Sequence, residues 1–168
     1  TPAAAGSPAA VSADAAATAE ICAWLCPSVR PLLRNSDEAR VLRILEHDSL
    51  EWQFDGLLEL ERLTGGNALV AIGWALFERH GIVRALRIDA STLCNFLRAL
   101  SEGYNDVPYH CSAHAACVAH GLHYLLAVRT ELFQLWRGEP LELVAPLFAA
   151  LVHDLGHPGP HNAFHAAT

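Results

Sequence analysis

The fold of this chain is set by one stretch near its C-terminal end, LELVAPLFAALVHDLGHPG, which covers residues 141–159. Its first twelve residues, 141–152, are almost all apolar and have the length of a buried helix. His153 and Asp154 follow directly. A buried imidazole–carboxylate pair is costly unless something neutralises or coordinates it, and both groups are ordinary ligands of divalent metal ions. The stretch therefore predicts a helix that ends in a metal site.

A second group of imidazoles lies upstream, in the sequence YHCSAH at residues 109–114. Pro108 suits the first turn of a helix, so we expect the helix to begin there. At 100° per residue, His110 and His114 would lie about 40° apart on it, and Cys117 within about 20° of His110. A histidine pair of this kind is more often a surface or capping feature than a ligand pair. The two groups together nevertheless indicate a metal-dependent hydrolase.

The remaining histidines are not expected to take part in the site. His120 and His123 would lie on other faces of the same helix, and His80 stands at a helix end. His161 and His165 are expected at the surface or at the edge of the pocket. The metal chemistry is therefore predicted for the two groups alone.

Composition narrows the class of protein. The chain has 168 residues, which suits one domain, and its 52% apolar and 17% charged residues are typical of a globular protein with a large core. A net charge of −7 argues against a nucleic-acid partner. Five cysteines without framework spacing predict reduced thiols and an intracellular, cytoplasmic location. No segment reaches the roughly 18 apolar residues of a membrane span.

The rest of the chain shows helical periodicity and no alternation of the kind that predicts strands. Cap and breaker residues give the helix boundaries. The predicted helices begin near Glu38, run from Asp55 to Leu63, from Ala68 to His80, from Asp89 to Gly103, and from Pro108 to Val128. Pro146 is expected to kink the last helix rather than delay its start, because an interior proline costs about 3 kcal/mol. The predicted fold is all-α, a multi-helix bundle.

Two ranges differ in character. Residues 1–19 are a low-complexity stretch, expected to be a linker or tail, and residues 20–168 form the helical body. The chain starts at Thr1, contains no methionine, and stops at Thr168, a few residues past its most specific motif. An active-site motif at the edge of a domain would be unusual. We therefore expect the bundle to be the truncated N-terminal part of a larger helical catalytic domain.

The C-terminal motif, His-Asp-x-x-His-Pro-Gly-x-x-Asn-x-Phe at residues 153–164, fixes seven positions in twelve, which chance rarely assembles. With it, the chain resembles the N-terminal half of the catalytic domain of class I cyclic nucleotide phosphodiesterases, which are related to the His-Asp metal phosphohydrolases. The resemblance covers roughly residues 52–168. It includes Thr64-Gly65-Gly66-Asn67, Leu76-Phe77 with Gly81, Leu93 to Tyr104, Pro108-Tyr109-His110 and His114-Ala115.

The resemblance implies hydrolysis of 3′,5′-cyclic nucleotides, cAMP or cGMP, to 5′-monophosphates in signal transduction. It implies two divalent metal ions, Zn²⁺ and Mg²⁺ or Mn²⁺, with a hydroxide between them that attacks phosphorus. His114, His153 and Asp154 would ligate the first ion, and Asp154 would bridge to the second. Such a pair of cations stabilises the charge of an in-line displacement at phosphate.

The resemblance also assigns roles around the metal ions. His110 would give a proton to the departing 3′ oxygen. His157 would not bind a metal ion itself but would support the hydroxide or the phosphate. Tyr109 and Asn162 would line the substrate pocket. A proton donor near neutral pKa helps because an alkoxide is a poor leaving group.

Three positions depart from the family pattern. Cys111 stands where the family usually has Asn, Cys117 where it has Asp, and Gly156 where it is often acidic. A thiol cannot copy the hydrogen bonding of the missing carboxylate, although a thiolate can bind zinc. These differences bear on activity and metal preference rather than on the family.

Two other functions stay open. One is another His-Asp phosphohydrolase that acts on a non-cyclic nucleotide, and the other is a degenerate, non-catalytic interaction domain. The family's last metal-ligating Asp and its purine-binding Gln would follow Thr168. We therefore expect the isolated chain to be inactive or nearly so.

Overall fold

The computed structural model describes residues 38–46, 56–128 and 139–160. All regular structure within these ranges is helical, which confirms the all-α prediction. The described helices are α1 (Glu38–Glu46), α2 (Gly56–Leu63), α3 (Ala68–Arg79), α4 (Ile82–Ala85), α5 (Ala90–Glu102), α6 (Ser112–Val128) and α7 (Pro140–Val152). The predicted tail at residues 1–19 and Asn162 lie outside the described residues.

Helix α3 occupies the centre of the bundle. It packs against α5 and α6 and also contacts α1, α2, α4 and α7. Every residue from Ala68 to Trp74 is buried, so α3 is covered on all sides. A helix that is apolar all round has to be enclosed by other elements. The remaining helices therefore form a shell around α3.

Breaker and cap residues end the helices where the sequence predicts. Gly65 and Gly81 adopt left-handed φ angles of 61° and 66° after α2 and α3. Asp89 caps α5, because its carboxylate accepts a 2.9 Å hydrogen bond from the amide of Thr92. The four-residue helix α4, with Ile82 fully buried, was not predicted. It is too short to show a helical period.

Helix α6 begins later than the sequence predicts. It starts at Ser112, whereas Pro108 was the predicted first turn. The amide of Cys111 bonds to the carbonyl of Tyr109 at 2.8 Å, which forms a tight turn directly before the helix. This turn uses backbone that a longer helix would need for its own bonds. His110 consequently lies before α6 and not on it.

Helix α7 is buried on one face only, which corrects the prediction of a buried helix. It starts at Pro140 and continues through Pro146, so the helix does not begin later to avoid the proline. Its outer face leaves Leu141 67% exposed and Phe148 43% exposed. The inner face consists of Leu143, Leu147, Ala150 and Leu151. In the part of the chain that the structure describes, no helix has the length and apolar character needed to cross a membrane.

Candidate metal centre

The carboxylate of Asp154 is the point on which the site converges. Its Oδ2 atom lies 2.7 Å from Nδ1 of His110, 3.0 Å from Nε2 of His153 and 3.4 Å from Nε2 of His114. Only 12% of the Asp154 side chain is exposed. Three imidazoles thus meet one oxygen atom that is largely withdrawn from water.

Two parts of the chain supply these groups. His153 and Asp154 directly follow α7, and His114 lies in the first turn of α6, which packs against α7. His110 reaches Asp154 from the turn before α6. The structure therefore brings together His110, His114, His153 and Asp154, although they are separated by up to 44 positions in sequence.

Hydrogen bonding fixes which nitrogen of His153 faces the carboxylate. Nδ1 lies 3.0 Å from the carbonyl oxygen of Ala150, and a carbonyl can only accept, so Nδ1 carries the hydrogen. In the neutral ring, Nε2 then points a lone pair at Oδ2 of Asp154 from 3.0 Å. Two electron-rich atoms at this distance repel unless a proton or a cation lies between them. Metal-binding histidines typically donate their other ring hydrogen to a carbonyl or carboxylate in this way.

The donor set suits a divalent cation. Imidazole nitrogen and carboxylate oxygen are ligands of zinc, and the same pair also occurs at other divalent metals. The most compact group consists of His110, His114 and Asp154, whose ligand atoms lie within 4.8 Å of one another. His153 is not in that group, although its own contact with Asp154 is shorter than that of His114.

The contact of His110 with Asp154 is shorter than those of the other two imidazoles. Two atoms bound to one tetrahedral zinc ion at 2.0–2.1 Å lie about 3.3 Å apart. The contacts of His114 and His153 with Asp154, 3.4 and 3.0 Å, are close to that value. The 2.7 Å contact of His110 is instead a hydrogen-bond distance.

Electrostatics set the protonation of the central groups. Burial alone would raise the pKa of Asp154, but the hydrogen bond from His110 and the charges of the neighbouring imidazoles outweigh it and hold that pKa below its ordinary value. Burial, followed by the charge of His153, lowers the pKa of His114, and Asp154 opposes this only in part. An ionised carboxylate and a neutral imidazole are the forms that bind a metal ion.

His157 and Tyr109 flank the converging imidazoles. The ring of His157 stacks on that of His110 with centroids 3.8 Å apart. Nδ1 of His157 accepts a 3.0 Å hydrogen bond from the amide of Gly159, so in the neutral ring the hydrogen resides on Nε2. Tyr109 is 63% exposed, and its ring lies 4.3 Å from that of His114. These two side chains therefore contact the imidazoles that converge on Asp154.

The prediction that Cys117 shares a face with His110 is wrong. The angle of about 20° between them presumed that both lie on α6, whereas His110 precedes the helix. Cys117 is exposed and does not belong to the compact ligand group. His120 and His123 are buried on α6, away from the ligand group, and His123 bonds to His80 at 3.0 Å.

Sequence reasoning missed two residues that hold the end of α7 and the loop that follows it. The hydroxyl of Tyr104 donates a 2.7 Å hydrogen bond to the carbonyl of Leu151. The side-chain amide of Asn105 donates to the carbonyls of Gly156 and His157. Partners of this kind are about fifty positions away, so no local signal in the sequence could have identified them.

Comparison with known proteins gives one consistent family. Residues 109–168 match the family described as 3′5′-cyclic nucleotide phosphodiesterase. The chain is 32% identical over 141 residues, 83% of its length, to 3′,5′-cyclic-AMP phosphodiesterase 4 of Dictyostelium discoideum, and covers 13% of that protein. It is 34% identical over 137 residues, 81% of its length, to human high affinity cAMP-specific and IBMX-insensitive 3′,5′-cyclic phosphodiesterase 8A, and covers 16% of it.

A third relative is the human dual specificity calcium/calmodulin-dependent 3′,5′-cyclic nucleotide phosphodiesterase 1C. The chain is 38% identical to it over 120 residues, 70% of the chain and 16% of the relative. The chain thus spans 13% to 16% of the length of these three proteins. The matched segment contains all the side chains that converge on Asp154. This chain belongs to the 3′,5′-cyclic nucleotide phosphodiesterase family.

Proposed function

We propose that the chain forms part of a catalytic domain that hydrolyses 3′,5′-cyclic nucleotides to 5′-monophosphates. The convergence of three imidazoles on Oδ2 of Asp154, inside the segment matched by the family, is the observation that carries this proposal. The relatives' names include a cyclic-AMP phosphodiesterase and a dual specificity enzyme, so the proposed substrate class is cyclic nucleotides without a choice of base.

His114, His153 and Asp154 would hold the first divalent ion, which we propose to be Zn²⁺, and Asp154 would also contact a second, Mg²⁺ or Mn²⁺. Support comes from the 3.4 and 3.0 Å contacts of the two imidazoles with Asp154 and from the Nδ1 hydrogen that His153 gives to Ala150. When bound, such ions neutralise phosphate charge and bring the pKa of water towards neutrality.

His110 is the proposed proton donor to the leaving group. In the reaction, a water oxygen bonds to phosphorus and releases a proton to solvent, the bond from phosphorus to O3′ breaks, and O3′ takes up the proton that His110 delivers. Because Nδ1 of His110 is bonded to Asp154, Nε2 remains as the nitrogen that can deliver this proton. The hydrogen bond to the Asp154 carboxylate fixes the orientation of the His110 ring, in the same way that a carboxylate orients a catalytic histidine in a triad. A donor of this kind contributes about 10²- to 10⁴-fold.

His157 is proposed to hold a phosphate oxygen. Its Nδ1 is occupied by the amide of Gly159, which leaves an Nε2 hydrogen to donate. The stacking of the His157 ring on the ring of His110, the proposed acid, supports this role. Tyr109, exposed and in ring contact with both His110 and His114, would close one side of the substrate pocket.

Zinc content of the purified chain tests the ligand set. After loading with zinc and dialysis, we expect close to one zinc ion per wild-type chain by plasma mass spectrometry. His153→Ala should lose the ion, whereas His110→Ala and the matched loop variant His157→Ala should retain it. The reverse result for His153 and His110 would assign the ion to the compact group of His110, His114 and Asp154.

Absence of zinc from the wild-type chain under these conditions would contradict the proposal. It would favour the degenerate, non-catalytic interaction domain instead. If zinc is bound, comparing the binding of a cyclic nucleotide and of a non-cyclic nucleotide to the zinc-loaded chain distinguishes the phosphodiesterase from another His-Asp phosphohydrolase, because the isolated chain is expected to have little or no turnover.

A further inference from the structure

The segment between α5 and the His110 turn is attached to the end of α7 and to the loop that follows it. Three hydrogen bonds join them, from the hydroxyl of Tyr104 to the carbonyl of Leu151 and from Asn105 to the carbonyls of Gly156 and His157. The glycines add close packing, since a Cβ added at Gly103 would lie 3.0 Å from Cδ1 of Leu155 and one added at Gly159 would lie 3.3 Å from Cγ1 of Val107. We call residues 103–107 the linker. Through Pro108 it leads into Tyr109 and His110. The linker therefore connects the segment that carries His110 with the loop that carries His157.

Asn105 makes two hydrogen bonds between the linker and the loop. Its Nδ2 atom lies 3.1 Å from the carbonyl of Gly156 and 3.0 Å from that of His157. Both partners are acceptors only, so the nitrogen and not the oxygen of the amide must face them. The amide group has two hydrogens, one for each carbonyl. Gly156 has a φ of 74°, a left-handed turn at which the loop changes direction.

The position of the His157 ring depends on the same few residues. Its carbonyl is held by Asn105, and its Nδ1 accepts the amide of Gly159. The ring then stacks on His110, which lies five residues after Asn105 along the chain. One side-chain amide therefore links the backbone of His157 to the segment that carries His110.

We propose that Asn105 is a positioning residue that holds the ring of His157 against the ring of His110 through its two hydrogen bonds to the loop carbonyls. The use of His157 in hydrolysis rests on the proposed function, whereas the positioning itself does not. In this arrangement the two N–H groups of the Asn105 amide hold the loop. A side chain of the same shape without N–H groups would leave both carbonyls to water and free the loop.

The test compares variants of the exposed residue Asn105 that lack a side-chain N–H donor with a variant that keeps one. Asn105→Asp keeps the shape and removes the donors, Asn105→Ala removes the side chain, and Asn105→Gln keeps an amide. Asp106→Ala, at the next exposed position, is the matched control. Nuclear Overhauser contacts between the ring protons of His110 and His157 are measured in each chain, with core methyl shifts as a check of the fold.

We expect the ring contacts in the wild type, in Asn105→Gln and in Asp106→Ala, and their loss in Asn105→Asp and Asn105→Ala. The amide proton of Gly159 should shift together with that loss, because its acceptor on His157 moves. Ring contacts that persist in both donor-free variants would overturn the proposal. Loss in Asn105→Gln as well would overturn the assignment to the donors.

Zinc content separates this proposal from the proposed function. None of the four variants touches a proposed ligand, so each should bind zinc like the wild type. If the wild type binds no zinc but Asn105→Asp loses the ring contacts, the positioning role of Asn105 holds and only the catalytic proposal is contradicted. A chain that binds zinc and keeps the contacts contradicts only the positioning role.

Discussion

The hydroxyl of Tyr104 donates a 2.7 Å hydrogen bond to the carbonyl of Leu151 inside the protein core. Leu151 lies in the last turn of α7, where helix carbonyls have no partner within the helix. Burial raises the pKa of Tyr104, so its hydroxyl stays protonated and able to donate. The bond satisfies a buried carbonyl two residues before His153 and thereby fixes the end of the helix that leads into the metal centre.

Tyr104→Phe should destabilise the chain by about 1–3 kcal/mol, because it leaves the Leu151 carbonyl buried and unpaired. Urea denaturation followed by circular dichroism measures the change. Tyr109→Phe removes a hydroxyl from a ring that is 63% exposed, and should change the free energy of unfolding by less than about 0.5 kcal/mol. Equal stabilities of the two variants would show that the buried bond contributes nothing.

The sequence predicts the helix ends well where the responsible chemistry is local. Asp89 caps α5 through an amide three residues on, and Gly65 and Gly81 adopt the left-handed φ angles that end the preceding helices. Each of these features depends on one or two neighbouring residues. The residue type at a fixed offset is therefore enough to place the boundary.

The start of α6 and the role of Asn105 could not be predicted because their partners are distant in sequence. His110 leaves the helical path in a turn and bonds to Asp154, 44 positions away. Asn105 bonds to carbonyls 51 and 52 positions away. The helical pattern through Pro108 contains no sign of either contact. Likewise, the apolar run of α7 does not tell which of its residues, such as Leu141, stay exposed in this chain.

Gly159→Ala should destabilise the chain by about 1–3 kcal/mol, because the backbone there has a φ of 99° that side-chain-bearing residues rarely adopt. An added Cβ would also lie 3.3 Å from Cγ1 of Val107 in the linker. Gly121→Ala is the matched control, since Gly121 lies within α6 and a Cβ there meets no atom within 4 Å. That control should stabilise the chain by up to about 1 kcal/mol. Thermal unfolding measures the stability of both variants. Stability changes of the same sign in Gly159→Ala and Gly121→Ala would contradict this account.

Asp154→Asn should weaken zinc binding by more than about 100-fold. Replacing a residue that only hydrogen-bonds to a metal ligand typically lowers metal affinity by about 10- to 100-fold, and loss of a ligand should cost more. The amide has the shape of the carboxylate but lacks the charge that the three imidazoles surround. Titration with zinc against a competing chelator measures the affinity. Asp106→Asn makes the same chemical change at an exposed position and should bind zinc like the wild type. Indistinguishable affinities would mean that Asp154 is not a ligand.

His123→Leu should reduce the acid sensitivity of the fold. His123 is fully buried, and its burial, together with the charges of His80, Arg79 and His120, lowers its pKa from 6.5 to about 3. The unfolded chain takes up a proton on this residue below about pH 6.5 while the native chain resists it, so stability is complete above that pH and is lost as the pH falls towards 3.

Between about pH 7.5 and about pH 5, His123 should account for a loss of about 2 kcal/mol, which the leucine variant should not show. His80, whose pKa burial also lowers, keeps part of the pH dependence in the variant. Urea denaturation at the two pH values, in the presence of a chelator so that metal release does not contribute, gives the comparison. If the variant loses as much stability as the wild type over this range, protonation of His123 is not what destabilises the fold in acid.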